Sequence, residues 1–205
     1  MIKAVLFDYG GVLTEAGRAT GIAEALGELY GLDPSEIRSA DLHAKLIVGE
    51  ISAAEFFGEL NKRYGEGRTH ADAELFNAHN QKFITPCLPV YQLAAELRAA
   101  GIRTGILSNV YQFSADQVRA AGLYDGFDPV LLSCALHIAK PNPAFYERAL
   151  EDLGLPANEV LFIDDQMRCM PPETLGMHTL QATSPQQIVD DVKAIIQKEN
   201  NLTLE

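Results

Sequence analysis

Three apolar runs in this 205-residue chain stop abruptly on small polar or acidic residues. VLFD ends at Asp8, GILSN ends at Ser108 and Asn109, and VLFIDD ends at Asp164 and Asp165. A doubled aspartate after four apolar residues puts two carboxylates where they repel, raise each other's pKa and lose hydration unless a cation compensates. Asp8 adds a third oxygen donor, and a set of hard oxygens suits magnesium. Lys140, in IAKPNPAFY, is the kind of residue that orients a bound phosphate and offsets charge that builds up in a transition state. Taken singly, each polar residue is a turn former or helix cap, and a lone lysine is a solvated surface group. Their chemistry depends on meeting.

The surrounding pattern supplies the meeting place. After Pro86 strands alternate with helices, the mark of a mostly parallel sheet covered by helices. Strands are expected at IRTGILSN, EVLFIDD and HTLQA, with a further apolar run at PVLLSCAL. Helices are expected at VYQLAAELRAAG, with Val90, Leu93, Ala94 and Leu97 inward, near SADQVRAAG, and at NPAFYERALEDLG. Ser184 and Pro185 take cap and first-turn positions of a terminal helix. If the strands are parallel neighbours, their polar ends share one edge of the sheet.

Residues 15–85 read instead as helices. IAEALGELYG places Ile22, Leu26, Leu29 and Tyr30 on one face and stops at Gly31. SAAEFFGELNKRYG opens with Ser52 and Glu55 in capping-box spacing, and AELFNAHNQKF continues the pattern. The simplest architecture is an α/β core of residues 1–14 and 86–205, interrupted by a helical bundle at 15–85. Open α/β sheets bind ligands beyond the carboxyl ends of their strands, so this insertion is a candidate lid.

Composition narrows the partners. Sixteen Lys and Arg against twenty-eight Asp and Glu give a formal charge of −12, which opposes attraction to nucleic acid or an anionic membrane. Cys87, Cys134 and Cys169 have no disulfide or zinc spacing and read as small buried hydrophobes. MIKAVLF is too short and too weakly basic for a signal peptide, so a reduced cytoplasm is the expected compartment. A monomer or a homodimer fits equally well.

Asp8 in FDYGGV, Ser108 in LSN, Lys140 in KPNPAFY and Asp164–Asp165 in FIDD follow the order of the four motifs of the haloacid dehalogenase-like hydrolases, which this chain resembles over nearly its whole length. The resemblance implies a Rossmann-like core with an inserted cap of the C1 type. The DYGGV start and IDD ending look most like the branch with α-glucose-1-phosphate phosphatases and the N-terminal phosphatase domain of soluble epoxide hydrolases. It further implies that Asp8 is the nucleophile forming an aspartyl phosphate, that Ser108 donates to a phosphoryl oxygen while Asn109 shapes the loop, and that Lys140 holds the phosphate and steadies Asp8. Backbone N–H groups of Tyr9, Gly10 and Gly11 would cradle the transferring group. Magnesium would be held by Asp8, the Gly10 carbonyl, Asp165 directly and Asp164 in support. The implied substrate is a small phosphorylated metabolite, sugar phosphate-like.

Two departures accompany the match. Gly10 stands where most phosphatases of this group carry an aspartate that protonates the leaving oxygen, help worth about 10²–10⁴-fold. Glu15 and His43 are the candidates for lending a proton, whereas His70, His79, His137 and His178 read as structural or solvated. Pro171 and Pro172 fit a first helical turn but not an interior, so the helix after the acidic pair is expected to begin late or deformed. Selectivity is expected from cap residues among Arg18, His43, Lys45 and Tyr64. Two other readings remain open at this point: a metal-independent dehalogenase, and a weakly active relative that binds a phosphorylated ligand or a protein.

Overall fold

The computed structural model describes residues 1–14, 22–68, 70–80 and 84–204. Its centre is a five-stranded parallel sheet in the order β3-β2-β1-β4-β5, formed by β1 (Ala4–Phe7), β2 (Arg103–Ser108), β3 (Val130–Leu132), β4 (Val160–Asp164) and β5 (His178–Gln181). The middle strand is β1, with Phe7 in register with Ile106 of β2 and Ile163 of β4. Side chains alternate across the sheet. Val5 and Phe7 face one apolar cluster, with Leu93, Leu97 and Ile188, and Ala4 and Leu6 face another, with Phe145, Tyr146 and Phe162.

Helices α5 (Leu88–Ala99), α6 (Gln112–Ala120), α8 (Pro143–Leu153) and α9 (Pro185–Asn200) follow the expected pattern. Val90, Leu93, Ala94 and Leu97 are buried, and the Ser184 hydroxyl accepts from the Gln187 N–H ahead of Pro185. Gly105 in mid-strand reflects close approach, since a Cβ there would lie 2.7 Å from the Leu6 side chain and 2.8 Å from the Pro129 carbonyl.

Between β1 and α5 lie α1 (Ile22–Tyr30), α2 (Ala40–Ile47), α3 (Ala53–Tyr64) and α4 (Ala73–His79). They bury an apolar cluster of their own around Leu26, Phe56, Phe57, Leu60 and Phe76, against which Tyr111 and Phe113 pack. Ser52 and Glu55 form the expected capping box, and Gly31 after α1 has φ +65°. Thr14 and Pro86 meet in an antiparallel bridge, and the Cys87 N–H donates to the Leu13 carbonyl at 2.9 Å.

Three local expectations change. The run PVLLSCAL is a strand only over β3, then turns into the short helix α7 (Ser133–Leu136), because an apolar run alone does not distinguish a buried strand from a buried helix. The AELFNAHNQKF helix stops at His79 with Asn80 as its cap, and residues 81–83 lie outside the described residues. After the acidic pair, 3-10 turns at Met167–Cys169 and Glu173–Leu175 flank Pro171 and Pro172 in place of a helix, as proline's missing N–H and fixed φ require. All three cysteines are free and buried. Among the described residues no helix is long and apolar enough to cross a membrane.

Candidate active site

The polar strand ends do share one edge. Ser108 and Asp164 are the last residues of β2 and β4, and Asp8 follows β1 with its N–H donating to the Ile163 carbonyl at 2.8 Å. One carboxylate oxygen from each of Asp8, Asp164 and Asp165 lies within 4.8 Å of the others, and all three residues are buried. Lys140 reaches between two of them, its Nζ 2.9 Å from Asp8 Oδ1 and 2.6 Å from Asp164 Oδ2. The ammonium also sits 5.2 Å from the centre of the Phe162 ring.

Burial sets the electrostatics, since the Lys140 side chain is 1% exposed and that of Asp164 0%. Burial alone would pull the Lys140 pKa down, but the charges of Asp8 and Asp164 outweigh it and hold the pKa above its ordinary value. Asp164 is pushed up to about 6, first by burial and then by the Asp8 charge, while Lys140 pulls the other way. Three carboxylates against one ammonium leave two negative charges uncompensated when all are ionised. A buried excess of that sign, built from oxygen donors, fits a divalent hard cation such as magnesium.

Asp8 takes both of its contacts on Oδ1, from its neighbour's N–H at Tyr9 (2.7 Å) and from Lys140. Among the described residues neither of these contacts involves Oδ2. The turn that follows has Gly11 at φ 74°, a left-handed conformation that glycine adopts without strain. The expected cradle of three backbone N–H groups is reduced here. That of Tyr9 is directed at the Asp8 carboxylate and that of Gly11 at the Thr14 hydroxyl at 3.2 Å, so Gly10 supplies the remaining one. The Tyr9 ring is buried against Tyr124, with centroids 5.4 Å apart.

Asn109 acts through the neighbouring loop. Its Oδ1 accepts from the Lys140 N–H at 2.8 Å and its Nδ2 donates to the Lys140 carbonyl at 3.0 Å. Both ends of the amide therefore engage the Lys140 backbone and fix it in place. The Lys140–Pro141 peptide is cis, and Asn142 caps α8 by accepting from the Ala144 N–H.

Above these groups opens a cavity of about 400 Å³ that Asp8, Gly10, Ser108, Asn109 and Lys140 line from below. Its roof comes from the inserted helices: Ala25 on α1, His43 and Ile47 on α2, Phe76 on α4 and Asn80. Of the cap residues expected to face the site, His43 does. Lys45 is exposed and does not line the cavity, and Tyr64 is occupied inside the bundle, its hydroxyl accepting from the Arg38 N–H at 2.7 Å. Glu15 and Arg18 lie outside the described residues. The other four histidines do not line the cavity either.

His43 meets Tyr111 edge to face at 5.7 Å, and its pKa is lowered by burial and then by the charge of Arg168. It is a neutral imidazole at neutral pH, which equips it poorly to lend a proton to a leaving oxygen. Arg168, Tyr111 and Phe76 also line the cavity and were not legible as site residues in the sequence. Phe76 sits in a helical apolar pattern like any core residue, Tyr111 immediately precedes α6, and Arg168 lies in the 3-10 turn Met167–Cys169.

A parallel sheet whose central strands end in three buried carboxylates, two of them bridged by one lysine, roofed by inserted helices, defines a class of α/β hydrolase. The family model for haloacid dehalogenase-like hydrolases matches residues 2–170. The chain belongs to the haloacid dehalogenase-like hydrolases. It is 28% identical over 206 residues to acyl-CoA dehydrogenase family member 10 of Mus musculus, covering 95% of this chain but 19% of that protein. Against bifunctional epoxide hydrolase 2 of Sus scrofa it is 34% identical over 208 residues, 87% of this chain and 36% of the relative. Phosphatase MT3486 of Mycobacterium tuberculosis is 29% identical over 178 residues, 80% of this chain and 79% of the relative. In fold, a haloacid dehalogenase family enzyme from Bacteroides thetaiotaomicron, crystallised with magnesium and inorganic phosphate, superposes with TM-score 0.70 at 23% identity, covering 88% of this chain and 94% of that one.

Proposed function

We propose that this hydrolase is a magnesium-dependent phosphomonoesterase of a small phosphorylated metabolite, with residues 15–85 as cap and residues 1–14 and 86–205 as catalytic core. The observation that carries the reading is Lys140 held between Asp8 and Asp164, with Asp165 in reach of both. The bridge between Thr14 and Pro86 at the neck of the inserted helices supports the division. Phosphatase MT3486 and the magnesium-and-phosphate-bound relative support the activity and the ion.

Asp8 Oδ2 forms a bond to phosphorus as the bond from phosphorus to the ester oxygen breaks, giving an aspartyl phosphate and an alkoxide that takes a proton from solvent. Water then attacks the phosphorus, returning the Asp8 carboxylate and releasing inorganic phosphate. Lys140 holds Oδ1 so that Oδ2 faces the cavity, and its charge offsets that of the phosphoryl oxygens. Ser108 and Gly10 line the cavity, and their O–H and N–H would donate to those oxygens. A magnesium ion held by Asp8, the Gly10 carbonyl, Asp165 and Asp164 would neutralise the repulsion between carboxylate and phosphate. Displacement of halide from carbon by the same aspartate has no use for Asp164 and Asp165, and their burial at the site favours the phosphatase.

Phenyl phosphate incubated with the protein and magnesium should release inorganic phosphate, and a chelator should stop it. Asp8→Asn should lower the rate by several orders of magnitude. Metal-independent turnover, or an active Asp8→Asn variant, would contradict the proposal.

A further inference from the structure

Several polar side chains lining the cavity are engaged in part by the protein itself, and this bears on which organic group can occupy it. The Asn80 amide donates to the Phe76 carbonyl at 2.8 Å. The Ser114 hydroxyl donates to Asn77 Oδ1 at 3.1 Å. Both ends of the Asn109 amide are on the Lys140 backbone, and Gln166 Oε1 accepts from Arg168 Nε at 2.9 Å. Beside these groups the cavity presents an apolar wall of Ala25, Ile47, Phe76 and the ring of Tyr111. The two aromatic rings meet edge to face with centroids 6.1 Å apart, and Phe113 stacks behind Tyr111 at 5.4 Å and 18°. That backing fixes the wall.

A polyol placed here would lose hydration at several hydroxyls and recover few partners, and each unpaired hydroxyl costs about 1–3 kcal/mol. An apolar group would gain about 25 cal/mol for every Å² removed from water. Capacity for a polar substituent remains at the His43 imidazole, the Tyr111 hydroxyl, Asn80 Oδ1, Gln166 Nε2 and the Arg168 guanidinium, but the wall made by Ala25, Ile47, Phe76 and the Tyr111 ring offers the hydroxyls of a sugar nothing. Arg168 is exposed at the rim.

We infer that the organic half of the substrate is an apolar body, aryl or branched alkyl, seated against Phe76, Tyr111 and Ile47, and that sugar phosphates are poor substrates. The inference rests on the phosphatase reading and narrows its substrate class away from the sugar phosphates that the sequence resemblance implies.

The test is a matched panel with magnesium: phenyl phosphate and a branched, prenyl-type alkyl monophosphate against glucose 1-phosphate and glucose 6-phosphate, with phosphate release as readout. The apolar esters should exceed the sugars on the order of a hundredfold in kcat/KM. Ile47→Ala should raise KM for the apolar esters while leaving the inhibition constant of inorganic phosphate unchanged, because phosphate contacts only the floor. Phe76→Leu, which keeps the bundle's core filled, should do the same more weakly. Sugar phosphates turned over as efficiently as the apolar esters would overturn the inference and leave the phosphatase standing. No turnover of any ester, phenyl phosphate included, would overturn both.

Discussion

Lys140 is the residue on which the site's charge balance turns. With the ammonium gone, Asp8 and Asp164 would face each other in a buried setting with no counter-charge, a situation that costs about 3–5 kcal/mol when one member of a buried pair is removed. Lys140→Ala should therefore destabilise the metal-free protein by about 3 kcal/mol in urea unfolding. Added magnesium should restore part of that loss, since a cation binding only the folded state stabilises it by mass action. A variant as stable as the parent in chelator would mean that the carboxylates are not charged together. Lys140 was legible in the sequence only through its company, and its true partners, Asp8 on one side and Asp164 on the other, follow from the register that sets β1 beside β4.

At the scale of elements, hydrogen bonds among the described residues tie the inserted helices to the core at two places. The fully buried Ser133 hydroxyl donates to the Ile47 carbonyl at the end of α2 (2.6 Å) and accepts from the Val110 N–H (3.0 Å). Beside it His137 Nδ1 lies 2.8 Å from the Val48 carbonyl, and Gly49, at φ +69°, leaves no room for a Cβ against the Cys134 carbonyl at 2.5 Å. The second tie is Asn77, whose amide donates to the Phe113 carbonyl and accepts from Ser114. Ser133→Ala should cost about 1–3 kcal/mol by stranding a buried donor and acceptor, and should raise KM because Ile47 would no longer be held over the cavity. Thermal melts and steady-state kinetics measure both, and an unchanged KM would show that α2 is positioned by its aromatic packing alone. Strand ends were readable because an apolar run that stops on an acid has few other meanings. The roof was not, because which face of α2 and α4 looks down on Asp8 depends on how two apolar clusters dock. Nothing in the period of either helix records that docking. The serine inside PVLLSCAL was similarly mute until α7 placed it under α2.

At the scale of the molecule, a chain of formal charge −12 concentrates three buried carboxylates at the point where the proposed function puts a phosphate. Binding there would run against the general field, and Lys140 with a divalent cation would reverse it locally. The sheet brings the floor together, the insertion supplies the roof, and the cavity lies between them. Central to this account is a covalent phosphoryl group on Asp8. Wild-type protein mixed with phenyl phosphate and magnesium, acid-quenched within a turnover and digested, should show by mass spectrometry one phosphorylated peptide, carrying Asp8, and Asp8→Asn protein should show none. Turnover with no phosphorylated peptide at any quench time, or phosphate found on a different residue, would contradict it.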